Sequence, residues 1–127
     1  MWEGIPENLR VLLVEDAPFL RYAFGRLLRL HGFVVREVND GQEALECVHD
    51  FQPQLVVTDL MMPVMDGVEL IQRLRSDPRT ADLPVLAITA DASEQMELRA
   101  REAGAVDFVT KPVDMPTLLD RLRAMSH

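Results

Sequence analysis

The chain has 127 residues, 48% of them apolar, which is the size of one domain with enough apolar residues for a single core, so one domain over residues 1–127 is expected. Thirteen Lys and Arg against twenty-one Asp and Glu give a formal net charge of -8, which repels phosphate backbones and argues against direct nucleic-acid binding. The first ten residues lack the basic and apolar regions of a secretion signal, no apolar run approaches a membrane span, and the lone Cys47 cannot form an internal disulfide. A cytoplasmic protein without membrane association is therefore expected, with Cys47 as a small buried hydrophobe.

Five short runs rich in Val, Leu and Ile, at residues 11–14, 33–38, 55–57, 85–88 and 106–109, read as strands. With so little polar alternation they suit a parallel sheet whose strands are buried on both faces. After the first run, Leu20, Ala23, Phe24, Leu27, Leu28 and His31 recur at helical spacing, with Pro18 near the start and Gly32 just past the end. Weaker stripes predict helices over 42–50 (Ala44, Leu45, Val48), 67–75 (Leu70, Ile71, Leu74) and 115–125 (Leu118, Leu119, Leu122). Residues 93–103 are good helix formers but apolar only at Met96, Leu98, Ala100 and Ala103, so that helix is expected to be loosely attached. Regular alternation and right-handed crossovers then predict an α/β fold: a doubly wound, five-stranded parallel sheet flanked by five helices, a three-layer sandwich.

Ligands of such folds bind beyond the carboxyl ends of the strands, which directs attention to the residues closing each run. The first closes in Glu15 and Asp16, the third in Asp59, the fourth in Thr89, and the fifth in Lys111 before Pro112. Taken singly these are ordinary. Asp16 ahead of Ala17 and Pro18 can serve as a helix N-cap, Asp59 as a loop acid, Thr89 as a strand residue and Lys111 as a solvated lysine. Together they bring three acids, a hydroxyl and an amine to one crest. Two like charges ~4 Å apart repel by about 4 kcal/mol at an effective dielectric near 20, so three clustered carboxylates need a compensating cation. Oxygen ligands without His or Cys partners suit Mg2+. Asp59 beside that ion is a candidate nucleophile toward a phosphoryl group, with Lys111 and Thr89 to neutralise the new charge.

The stretches VLLVED, VVTDLMMPVMDG, VLAITA and DFVTKP, in that order and spacing, resemble the receiver domain of two-component response regulators over nearly the whole chain. The resemblance implies a flavodoxin-like sheet of the chemotaxis-regulator kind. It also implies Asp59 as phosphoacceptor, Asp16 as a direct metal ligand, Glu15 as a ligand mainly through water, and Met61 as a ligand through its backbone carbonyl. Thr89 and Lys111 would grip the phosphoryl oxygens, the Lys111–Pro112 peptide would be cis, and Phe108 would be the aromatic that turns inward when Thr89 moves. Met61 and Asp91, two residues after Asp59 and Thr89, would flank the approach of the hydrolytic water.

The implied function is a signalling switch, not a metabolic enzyme, that catalyses only its own phosphotransfer and autodephosphorylation. It would take phosphate from a sensor histidine kinase or histidine phosphotransfer protein and then change its affinity for an output protein whose identity the residues leave open. With only one helix after Lys111, output is expected through protein contact. Two alternatives are a magnesium-dependent phosphatase with an aspartyl nucleophile, whose Asp-x-Asp motif is missing because Met61 stands two after Asp59, and a receiver excised from a hybrid kinase or multidomain regulator. Phe19, with Leu20, is read either as core or as a docking surface for the phosphodonor, and Met61, Met62 and Met65 as adaptable contacts or loop packing. His31 suits a helix C-terminus, while His49 and His127 are expected to be solvated.

Overall fold

A computed structural model describes residues 8–126, so His127 lies outside the described residues. The chain alternates β1 (Arg10–Val14), α1 (Pro18–Leu30), β2 (Val34–Val38), α2 (Gly41–Phe51), β3 (Leu55–Asp59), α3 (Gly67–Ser76), β4 (Val85–Thr89), α4 (Glu94–Ala103), β5 (Asp107–Thr110) and α5 (Met115–Met125). All strand pairs are parallel, in the order β2-β1-β3-β4-β5. Among the described residues no helix is long and apolar enough to cross a membrane.

Side-chain alternation along the strands divides the interior into two layers. Leu12, Val14, Val56, Val85, Ala87 and Phe108 face α2, α3 and α4, where Ala44, Val48, Leu70, Ile71, Leu74 and Ala100 complete the cluster. Val11, Leu13, Leu55, Val57, Leu86, Ile88 and Val109 face the other way, onto Leu28 of α1 and Leu118, Leu119 and Leu122 of α5. Each leucine fully buried in this way contributes about 1.5–3 kcal/mol. The order reverses between β1 and β3, and that switch point opens a crevice at their carboxyl ends, between Glu15 and Asp16 just past β1 and Asp59 at the end of β3.

Three readings of the sequence are corrected. β2 is an edge strand exposed on one side, with Val34 41% exposed, so its apolar run is not buried on both faces. Its edge carries charge instead: Arg29 pairs with Glu37 at 2.6 Å and Arg36 lies 5.3 Å from the Phe51 ring centroid. His49 is not simply solvated, since its Nε2 lies 3.2 Å from Asp77 Oδ2 and ties the end of α2 to that of α3. Cys47 is only half-buried, packs against the core and lies 3.7 Å from the Ala44 carbonyl; burial pushes its thiol pKa up. The thin packing of α4 is as expected, with Ala100 its one buried residue.

Arg75 does what the apolar pattern could not show. Its Nη1 donates to the carbonyls of Leu83 at 2.7 Å and Ala81 at 3.1 Å, and its Nη2 to that of Gly104 at 2.7 Å. One guanidinium thus closes the α3–β4 loop and the α4–β5 turn, where Gly104 at φ 120 leaves no room for a β-carbon against the Arg75 side chain. Arg75→Ala leaves these carbonyls without their donor and is expected to lower unfolding free energy by about 2–4 kcal/mol in urea titrations, with Arg75→Lys recovering less than half because a point ammonium cannot reach all three.

Candidate phosphoacceptor and metal site

The end of β1 turns its two acids to different tasks. Glu15 is buried, its amide donates to the Val38 carbonyl at 3.2 Å, and its Oε2 accepts from the Ala17 amide at 3.1 Å. Arg21 supports the turn by donating to the Glu15 carbonyl at 2.8 Å and to Asn39 Oδ1 at 2.7 Å. Asp16 is not the N-cap of α1: Ala17 holds that position, without a side-chain cap. Among the described residues the Asp16 carboxylate has no hydrogen-bonding or ion-pair partner, which leaves it available to a ligand.

Asp59 is the last residue of β3 and only 6% exposed, so it is not a loop acid. Both of its oxygens are engaged. Oδ1 accepts from the Met61 amide at 3.1 Å, and Oδ2 lies 2.7 Å from Lys111 Nζ. The same ammonium is 2.8 Å from Glu15 Oε1, so Lys111 bridges β1 and β3 and is no surface lysine. Burial works against the Lys111 charge, but the bonds to Asp59 and Glu15 outweigh it and raise the pKa above the ordinary lysine value. Glu15 is the reluctant anion, because burial outweighs its bond to Lys111 and raises its pKa.

Glu15, Asp16 and Asp59 each present a carboxylate oxygen within 4.8 Å of the others, a separation at which each ionised pair repels by about 3–4 kcal/mol for an effective dielectric near 20. Three carboxylates and one ammonium sum to -2, the charge a single divalent cation cancels. An all-oxygen donor set with one unpartnered carboxylate fits Mg2+.

Thr89 ends β4, fully buried, and its Oγ1 accepts from the Asp91 amide at 3.2 Å, which leaves the hydroxyl proton to donate elsewhere. Its carbonyl accepts from the Lys111 amide at 2.8 Å, which ties the ends of β4 and β5 together. The Lys111–Pro112 peptide is cis. Phe108 is already buried in the α2–α3–α4 layer rather than outside awaiting inward rotation. Phe19 is 82% exposed, which rules out its core reading. Of the loop methionines, Met62 and Met65 are buried packing residues and Met61 is 58% exposed. Two supports had no clear signal in the sequence, the Met61 amide and Arg21. A third did: Gly67, in the Asp-Gly pair that opens α3, is glycine because a β-carbon there would collide with the Asp59 carbonyl oxygen.

A buried aspartate at a topological switch point, flanked by two acids and a bridging lysine, makes an acidic cluster that could hold a metal ion on a doubly wound sheet. Residues 11–123 match the model of the response regulator receiver domain family. The chain is 38% identical over 116 residues to the DNA-binding dual master transcriptional regulator RpaA of Synechocystis sp., covering 91% of this chain and 48% of that protein. It superimposes on chemotaxis protein CheY4 of Vibrio cholerae with a TM-score of 0.89 at 28% identity, covering 93% of this chain and 98% of that one. The receiver domain of sensor histidine kinase PA1611 from Pseudomonas aeruginosa, whose active-site cleft coordinates a magnesium ion, matches with a TM-score of 0.87 at 27% identity over 94% and 98%. The chain belongs to the response regulator receiver domain family of two-component signalling. It spans about half the length of the curated relatives it matches.

The charge of the cluster makes a direct prediction. Asp59→Asn leaves Lys111 paired with Glu15 but removes one of the crowded anions, so without magnesium the variant should melt above wild type. Wild type should gain about 2.7 kcal/mol at a hundredfold excess of Mg2+ over its dissociation constant, and the variant clearly less. Thermal shifts with and without MgCl2 measure both; equal magnesium responses would contradict a shared site.

Proposed function

We propose that this receiver is a cytoplasmic, phosphorylation-dependent switch in which Asp59 takes a phosphoryl group from a phosphohistidine on a sensor histidine kinase or histidine phosphotransfer protein. The observation that carries this reading is the buried Asp59 carboxylate bridged by Lys111 to Glu15 beside the partnerless Asp16. Glu15, Asp16, Asp59 and the Met61 carbonyl would hold Mg2+, which when bound neutralises charge on the acids and on the phosphoryl oxygens.

A carboxylate oxygen of Asp59 attacks phosphorus as the bond to the donor imidazole nitrogen breaks, and the imidazole leaves with that electron pair. Lys111 and the free hydroxyl proton of Thr89 then bond the phosphoryl oxygens, at about 1.5–3 kcal/mol for each charge-assisted bond. Moving Thr89 toward the phosphoryl group gives up its bond to the Asp91 amide, and this transmits the event to the loop before α4. With Phe108 beneath it and one buried residue of its own, α4 is the element most easily shifted, so α4, β5 and α5 form the output face toward a protein partner. A cleft of 350 Å³ lined by Leu20, Phe24, Ala90, Lys111, Pro112 and Val113 adjoins the site, and the exposed Phe19 on the same helix extends the apolar surface available to the donor. No acid stands two residues after Asp59 to serve a phosphatase.

Acetyl phosphate with Mg2+ should add one hydroxylamine-sensitive phosphoryl group, read as a single mass increment by intact-protein mass spectrometry. An Asp59→Asn protein labelled as well as wild type would overturn the assignment. The lifetime of the product gives a second test. One oxygen of Asp91 is occupied, Oδ1 accepting from the Ser93 amide at 2.9 Å, whereas Met61, two residues after Asp59, is exposed and apolar and would hinder water. Met61→Asn should therefore speed loss of phosphate ~3- to 30-fold, a barrier change of about 1–2 kcal/mol, measured after the donor is removed in excess Mg2+.

A further inference from the structure

The loop between β3 and α3 is a closed ring built on Asp59. One bond closes it, from the Gly67 amide to the Leu60 carbonyl at 2.9 Å, and beside that closure the Met61 amide donates to Asp59 Oδ1 at 3.1 Å. Met62 and Met65 pin the ring from beneath, both buried in the core, with Met65 against Gly41, where a β-carbon would stand 2.9 Å from its sulfur. Only Pro63 and Val64 remain to reverse the chain between these anchors, and Pro63 has its φ set by its own ring. The reversal falls on Val64. The Met65 amide donates to the Pro63 carbonyl at 2.8 Å, closing a γ-turn with Val64 at φ 70. This form of γ-turn is the rare, strained one, and a β-branched residue is among the least suited to it. Val64 is 81% exposed, so no side-chain packing of its own compensates.

Strain at one link is borne by the whole ring, and Met61, whose amide occupies the nucleophile, is a member of this one. Oδ2 of Asp59 is held by a charge-assisted bond to Lys111 at 2.7 Å, while Oδ1 is held only by the neutral Met61 amide at 3.1 Å. Of the two, the Met61 bond is the cheaper to give up. Resting on the reading of Asp59 as phosphoacceptor, we propose that Val64 is a positioning residue: its strained γ-turn keeps the 60–67 loop ready to release the Met61 amide, freeing Asp59 Oδ1 for attack. Val64 touches no reacting atom and acts through the loop.

Val64→Gly and Val64→Asn test this, since both residues accept positive φ, and asparagine does so without glycine's added freedom. Relief of strain should raise the metal-free melting temperature by about 3–8 °C. Amide exchange at Met61 and Met65 should slow ~5- to 30-fold as the ring opens less often. Labelling by acetyl phosphate at saturating Mg2+ should slow ~3- to 10-fold, with the magnesium dissociation constant within about twofold of wild type. Unchanged exchange in both variants would overturn the proposal. So would slowed exchange with an unchanged labelling rate, which is what a purely structural strain would give. If wild type takes no label at all, the proposed function fails, and the exchange measurement alone still decides whether Val64 sets the opening of the loop.

Discussion

The ammonium of Lys111, shared between Glu15 Oε1 and Asp59 Oδ2, is the interaction on which the site depends. Two buried carboxylates on neighbouring strands cannot stay ionised side by side without a positive charge between them. Lys111 supplies it from just past β5, two strands away from β3 in the order of the sheet, so the lysine closes the site across the topology rather than along the chain. The compensation is incomplete in electrostatic terms: among the described residues Asp16 has no partner, and the cluster keeps a charge of -2, which suits a divalent cation.

The remainder of the fold divides into parts that hold this cluster still and parts that can move. Strands β1, β3 and β4 are buried throughout or nearly so, and α3 and α5 pack through several apolar side chains each, so the strand ends carrying Glu15, Asp59 and Thr89 have a rigid base. Against this stand α4, with Ala100 alone buried, and the 60–67 loop, with its strained γ-turn. Both connect directly to the site, α4 through Asp91 and Thr89, the loop through the Met61 amide. The thinly packed helix and the strained loop are thus the segments attached to Thr89 and Asp59.

The grouping of acids, hydroxyl and amine at the strand ends was legible in the sequence because a parallel sheet places the residues closing its apolar runs on one crest, whatever the detail of the packing. The bounds of α1 followed from Pro18 and Gly32 for the same local reason. The readings that failed were those in which local composition says nothing of the neighbour. β2 looks as apolar as β3 but has no strand beyond it, Phe19 falls near the stripe of α1 yet is exposed, which removes only the core half of its reading, and His49 found Asp77 at the end of a separate helix. Arg75 belongs with these, since nothing in its surroundings along the chain points to carbonyls as distant as Gly104.

What the sequence alone determined is the alternation of strands and helices, the parallel sheet and the set of groups offered at its carboxyl edge. These follow from periodicity and from the punctuation of the chain, which are short-range properties. What only the tertiary structure decided is how those groups are paired. That Asp16 stays unpartnered, that one lysine serves two acids, that Thr89 keeps its proton to give and that Val64 is forced to positive φ all depend on distances between segments far apart in the chain. Those distances are set by close packing, in which Met62 and Met65 have room only where the core leaves it, and packing is a property of the whole chain rather than of any stretch within it.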